Sequence, residues 1–314
     1  MIRRTLLAAI AVTALALAGC GAGSGSGTGS SSPSAPAGSG AYPVTVKSSG
    51  GSVTLDRRPT HIVSLSPTTT EMLYAIGAGS QVKAVDEDSN YPAKAPRTKL
   101  SGFQPNIESI AGYAPDLVVL SYDSGDVVSG LRKLKIPVYV ADAATTLSDS
   151  YREITDLGTL TGHTAGAAKT VRTMRTGIAN AEKGLPSRAS KLTYYYELDP
   201  ELHTATSTTF IGALLAPLGL RNIADKADKA SSGYPQLSKE YLLNADPDII
   251  FLADTKCCSQ SAATVAKRPG WNTLTAVKDS EVIGLNDDIA SRWGPRVVQL
   301  VRIAAKAVKS APAR

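Results

Sequence analysis

Apolar residues in this chain fall in short bursts. Ile62–Leu65, Val82–Val85, Leu117–Leu120, Pro137–Val140, Leu192–Glu197, Ile249–Leu252 and Glu281–Leu285 each hold only a few residues and do not alternate cleanly with polar ones. Such runs read as strands buried on both faces, the signature of a parallel sheet covered by helices. The segments between them have helical spacing. Ser66-Pro67 supplies an N-cap and a first-turn proline, and Thr68 with Glu71 offers an alternative capping box two residues on. Met72, Leu73 and Ile76 line one face of that helix, which Gly77 or Gly79 ends. Further helices are expected over Val127–Leu134, over Leu147–Leu160 with a break at Thr161-Gly162, over Phe210–Leu218 up to Gly219, and over Val297–Val308. His163–Lys183 runs about twenty residues without proline, interrupted by glycine only at 166 and 177, and predicts one long helix able to act as a rigid spine.

One phrase occurs twice. ESIAGYAPDLVVL at 108–120 and EYLLNADPDIIFL at 240–252 align without a gap, 132 residues apart. Glu108, Pro115, Asp116, Leu117, Val118 and Leu120 correspond to Glu240, Pro247, Asp248, Ile249, Ile250 and Leu252. In each copy proline stops a short helix and Asp leads into a buried strand. Helix–Pro-Asp–strand is common α/β grammar, but a shared charged residue goes beyond it, and two copies are too few for a solenoid. The expectation is an α/β protein of two similar lobes with mostly parallel sheets, joined by the long helix, with a ligand cleft between them. Each lobe presents one glutamate at an equivalent place.

The N-terminus changes the picture. Arg3 and Arg4 precede the apolar stretch Thr5–Ala18, which has the form of an export signal. Its end, Leu17-Ala18-Gly19-Cys20, resembles the lipobox of bacterial lipoproteins, which implies a lipidated Cys20 at the new N-terminus. Gly21–Gly40 is almost purely Gly, Ser, Ala, Thr and Pro, the composition of a tether. The organisation expected is a signal peptide (1–19), lipidated Cys and tether (20–52), N-terminal lobe (53–146), linking helices (147–186) and C-terminal lobe (187–314). Losing Arg3 and Arg4 takes the formal charge from +6 to +4. Lys and Arg are scattered rather than striped, which argues against nucleic acid as a partner.

The candidate chemistry is that of binding. No GxSxG, GxGxxG, GxxxxGK or HExxH occurs, and no catalytic residue is expected. The acids at Asp86-Glu87-Asp88 and Asp287-Asp288 read as surface loops. His61, His163 and His203 are dispersed, so no protein metal site is expected. Cys257 and Cys258 are adjacent and stand either as a strained vicinal disulfide or as two free thiols. Open α/β sheets bind ligands at the carboxyl ends of their strands. The loops expected there carry Tyr91, Phe103 and Asn106 in the first half, and Tyr234, Asp288, Arg292 and Trp293 in the second. Rings and a guanidinium across a cleft suit a large, planar, partly polar ligand.

SLSPTTTEMLYAIGAG, SNYP, SGFQPNIESI, PDLVVL, the long central helix, NIAD, YPQLSKEYL and SRWGPR occur in this order. Together they resemble the extracytoplasmic binding proteins of iron-siderophore and cobalamin ABC importers. The resemblance covers nearly the whole chain from about residue 60 and comes nearest the cobalamin-binding branch. It implies a monomeric lipoprotein at the cell membrane that delivers a metal chelate, most simply a corrinoid, to a permease dimer, and needs no cofactor of its own. It places Glu108 and Glu240 against transporter arginines, and Phe103, Tyr234, Asp288 and Arg292 around the ligand. Phe and Tyr stand where that branch favours Trp, which keeps a ferric siderophore or haem in view as cargo. Outside this class stand an enzyme on the same scaffold and a sensor lipoprotein without a deep cleft.

Overall fold

The Pro-Asp pair that the sequence repeats does the same work in both halves of the molecule. The structure, a computed structural model, describes residues 42–312. Asp116 accepts the backbone N–H groups of Thr60 and His61, each at 2.8 Å, and the Thr60 hydroxyl at 3.1 Å. Asp248 accepts the backbone N–H and the hydroxyl of Thr193, both at 2.8 Å. Each carboxylate therefore satisfies donors at the start of the neighbouring strand, which would otherwise be left unpaired. The equivalence extends to the backbone: Ala114 (φ 46°) and Asp246 (φ 41°), one before each proline, are both left-handed.

The described residues open with a hairpin, β1 (Val44–Ser48) and β2 (Gly51–Leu55). The first lobe holds β3 (Ile62–Leu65), β4 (Val82–Val85), β5 (Leu117–Leu120) and β6 (Val138–Val140), all parallel, in the order β4-β3-β5-β6. The second holds β7 (Thr193–Glu197), β8 (Arg221–Asn222), β9 (Ile249–Leu252) and β10 (Val282–Gly284), again parallel, in the order β8-β7-β9-β10. The two sheets share one topology, with β5 and β9, the repeated strands, in matching places. Helices α1 (Pro67–Ile76), α2 (Ile107–Ala111) and α3 (Val127–Lys133) belong to the first lobe, and α4 (Leu147–Thr161) and α5 (Thr164–Glu182) link the lobes. The second lobe adds α6 (Phe210–Leu215), α7 (Lys239–Ala245), α8 (Ala262–Ala266), α9 (Thr275–Lys278), α10 (Asp287–Ala290) and α11 (Val297–Ser310).

The hairpin corrects the expected tether of residues 20–52. Residues 44–52 are strand and turn, and the Gly/Ser composition that suggested a linker there belongs to the turn between β1 and β2. Val46, Val53 and Leu55 are buried, while the residues between them face solvent. The rest of the expected tether up to residue 41, with the signal peptide and Cys20, lies outside the described residues.

The spine is α5, nineteen residues and so about 28 Å long. Its two glycines explain how one helix touches both lobes. A Cβ on Gly166 would lie 1.9 Å from the Ile76 carbonyl oxygen of α1, and one on Gly177 would lie 2.5 Å from Val298 of α11. Around this helix a single apolar core runs from Ile62, Met72 and Leu117 in the first lobe to Tyr194, Phe251 and Val301 in the second. Separate smaller clusters fill the outer face of each sheet.

Candidate ligand-binding cleft

The carboxyl ends of the two sheets are stitched together. Arg292, beyond β10, donates to Glu71 of α1 at 2.8 Å, to the Asn90 side chain at 3.0 Å, to the Asp88 carbonyl at 3.2 Å and to Asp288 at 2.9 Å. Arg296 donates to both oxygens of Glu71. Asn90 returns a bond to Asp288 at 3.0 Å, and Lys256 reaches Asp288 at 3.1 Å. Asp88 and Asn90 follow β4, and Asp288 follows β10, so the carboxyl edges of both sheets meet at one interlobe crevice with a polar floor. Burial works to raise Asp288, but Lys256, Arg292 and Asn90 outweigh it and hold its carboxyl below the usual range.

Arg292 is 9% exposed, and its terminal nitrogens already serve four acceptors. Arg292, expected at the ligand, is engaged by these four acceptors and ties the two lobes together. Glu71, read from the sequence as a possible cap, is instead the buried anion between two arginines, and Ser66 with Pro67 starts α1 without it. Beside it a chain of hydroxyls, Thr69, Ser64, Thr70 and Ser89, is linked at 2.9 Å steps and ends with Ser89 donating to Asp86. Asp86, expected in a surface loop, is buried, and burial pushes it up to about 6 against the Ser89 hydrogen bond.

Exposed aromatic rings stand in loops that follow the carboxyl ends of strands in both lobes. Phe103 is 67% exposed and Tyr234 53%. Tyr122, two residues beyond β5, is 43% exposed and donates its hydroxyl to the Phe103 carbonyl at 3.2 Å, where Ser124 also donates. The sequence reading missed Tyr122; an aromatic just past a buried strand was the available signal. Tyr91 is exposed too, with the Arg296 guanidinium 4.2 Å above its ring.

Two other candidates lie elsewhere than expected. Trp293 packs on the interlobe core, and its indole N–H donates to Glu153 of α4 at 2.7 Å. Burial pushes that Glu153 up to about 8 against the Trp293 donor. The Asn106 side chain is the N-cap of α2, accepting from Ser109 N–H at 2.8 Å. Ser238 caps α7 in the same way, so Glu108 and Glu240 both stand second in their helices, and both are exposed. A helix leading into a parallel strand starts at the carboxyl side of the sheet, which puts the two glutamates on the side of the crevice.

Beneath the second-lobe edge, Glu197 forms a bidentate pair with Arg268, both bonds 2.6 Å. Asp254, fully buried beside it, is pushed up to about 7, first by burial and then by the Glu197 charge. A raised acid adds stability below its unfolded value, and that contribution is lost as pH rises toward 7. Asp254→Asn is therefore expected to stabilise the protein at pH 8 by more than about 1 kcal/mol, and to do so less at pH 5. Chemical denaturation at the two pH values measures this, and an equal effect at both would refute it. Cys257 and Cys258 follow as free thiols, their loop held by Asp287, which accepts the backbone N–H groups of Lys256 and Cys257. A hydrogen bond with Cys258, together with burial, raises the Cys257 thiol well above its ordinary value. Among the described residues no group of three or more His, Cys, Asp or Glu could hold a metal ion, and no helix is long and apolar enough to cross a membrane.

Two α/β lobes of one topology, a spine helix between them and carboxyl edges that meet at one polar network define the two-lobed architecture of a solute-binding protein. Residues 62–289 match the family described as periplasmic binding protein, and the chain belongs to that family. Among its relatives is a cobalamin-binding protein of Halobacterium salinarum, 32% identical over 268 residues, covering 82% of this chain and 72% of the other. An uncharacterized ABC transporter substrate-binding lipoprotein of Bacillus subtilis is 28% identical over 277 residues, 85% of this chain and 86% of the other. The crystal structure of the periplasmic vitamin B12 binding protein of Vibrio cholerae superposes with a TM-score of 0.67 at 25% identity, covering 80% of this chain and 97% of that one.

Proposed function

We propose that this protein captures a corrinoid outside the cytoplasmic membrane and delivers it to an ABC importer, without catalysing a reaction. The observation that carries this is that Phe103, Tyr122 and Tyr234 are exposed, in loops that follow the carboxyl ends of strands in both lobes. Exposed rings are costly to leave in water and favourable against a flat macrocycle. The relatives named for cobalamin or vitamin B12 supply the cargo class.

The test is a calorimetric titration of the purified protein with cyanocobalamin, haemin and a ferric hydroxamate, with visible absorption recorded in parallel. Cyanocobalamin is expected to bind most tightly. Phe103→Ala, Tyr122→Ala and Tyr234→Ala should each cost about 0.5–1.5 kcal/mol beyond lost contact area. Preference for a ferric chelate or haemin would replace the corrinoid reading, and full affinity in all three variants would move the site elsewhere.

The LAGC sequence ending at Cys20 supports anchoring by lipid, with each buried CH₂ contributing about 0.8 kcal/mol. Cys20→Ala is expected to shift the protein from the membrane to the soluble fraction with cyanocobalamin affinity intact. Retention of the variant in washed membranes would rule the anchor out.

A further inference from the structure

A second space lies between the lobes. A groove of about 750 Å³ runs down α1 from Glu71 to Gly77, away from the carboxyl edge where that helix begins, between α5 and α11. Its volume falls within the range of small-molecule sites, roughly 300–1,000 Å³. Ala75, Ile76, Met174 and Val298 give it an apolar lining, and the rings of Tyr74 and Tyr91 stand along it.

Its charges are not balanced. Lys94, Lys169 and Arg302 line it and are exposed, and none of them has a carboxylate partner among the described residues. Lys94 lies 5.6 Å over the Tyr74 ring. The one acid in the lining, Glu71, is already shared by Arg292 and Arg296. Isolated surface cations are ordinary, but three unmatched ones around an apolar trough concentrate positive potential where a hydrophobic body can also be buried.

We propose that this groove is a second ligand site, for a small amphipathic organic anion. Its phosphate or carboxylate is drawn by the positive charge of Lys169 and Arg302, and its apolar body lies along Ala75, Ile76 and Met174. The anion could arrive as a free solute or as a lipid headgroup; a groove set between α5 and α11, rather than a flat face, favours the free solute.

The experiment uses the mature protein and n-octyl phosphate below its micellar concentration, by calorimetry at low salt. Octyl phosphate is expected to bind at least tenfold more tightly than inorganic phosphate. Lys169→Glu with Arg302→Glu should lower its affinity at least tenfold, and Ala75→Trp, which fills the groove without changing charge, should do the same. All variants should melt like the wild type and keep their cyanocobalamin affinity, which separates this site from the cleft. No binding of octyl phosphate, equal binding by the variants, or equal binding of inorganic phosphate would each overturn the proposal. Binding only to phosphatidylglycerol vesicles, and not to octyl phosphate, would overturn it in favour of a membrane-facing surface.

Discussion

Glu71→Ala is expected to lower the unfolding free energy by about 3–5 kcal/mol, the usual cost of leaving a buried charge without its partner. Glu71 is 3% exposed, and its removal leaves Arg296 without a carboxylate partner and Arg292 with Asp288 alone. The loss should be global rather than local, because the clasp ties α1 of the first lobe to the loop before α11 of the second. Glu71→Gln, which keeps one acceptor, should fall between. Equilibrium denaturation measures both, and a loss under about 1 kcal/mol for the alanine variant would show that the clasp is incidental. Arg292→Ala should also weaken ligand binding, through disorder of the floor rather than a lost ligand contact.

Charge reversal at Glu108 and Glu240 together, each to Arg, should cut uptake in cells at least tenfold while cyanocobalamin affinity of the isolated protein stays within about twofold. An exposed ion pair contributes only about 0–1 kcal/mol, so two of them cannot hold a complex. Their proposed part is registry, aligning the lobes over the importer, and like charges set opposite one another would cost several kcal/mol. Arginine in the first turn of α2 and α7 also opposes each helix dipole by about 0.3–1 kcal/mol, so the variant's melting must be recorded beside its transport. Normal uptake by a folded double variant would remove the docking role.

The strands were legible because a parallel strand buried on both faces must be apolar throughout, as LVVL in β5 and IIFL in β9 are. β8, with only Arg221 and Asn222, carries no such run, and in the hairpin one turn's composition masked two strands. The repeat was legible from Glu108 and Glu240 onward, but the equivalent helix caps, Asn106 and Ser238, were not. What the sequence could not show was pairing over distance. Glu71 meets arginines more than 220 residues away, and Trp293 meets Glu153 140 residues away. Local pattern therefore read Glu71 as a cap and Trp293 as a free ring. Phe103 and Tyr234 needed no distant partner to be noticed, since aromatic residues in polar loops stand out on their own.

The unbroken core around α5 has a consequence for transport. With apolar packing continuous from Ile62 to Val301, moving one lobe against the other would break core contacts, so a wide hinge closure over cargo is expected to be costly. For an importer that docks on Glu108 and Glu240, the spacing of those two charges is then the same whether the protein arrives full or empty. On that reading the importer would have to sense the cargo itself, and empty carriers would compete with loaded ones for the same berth.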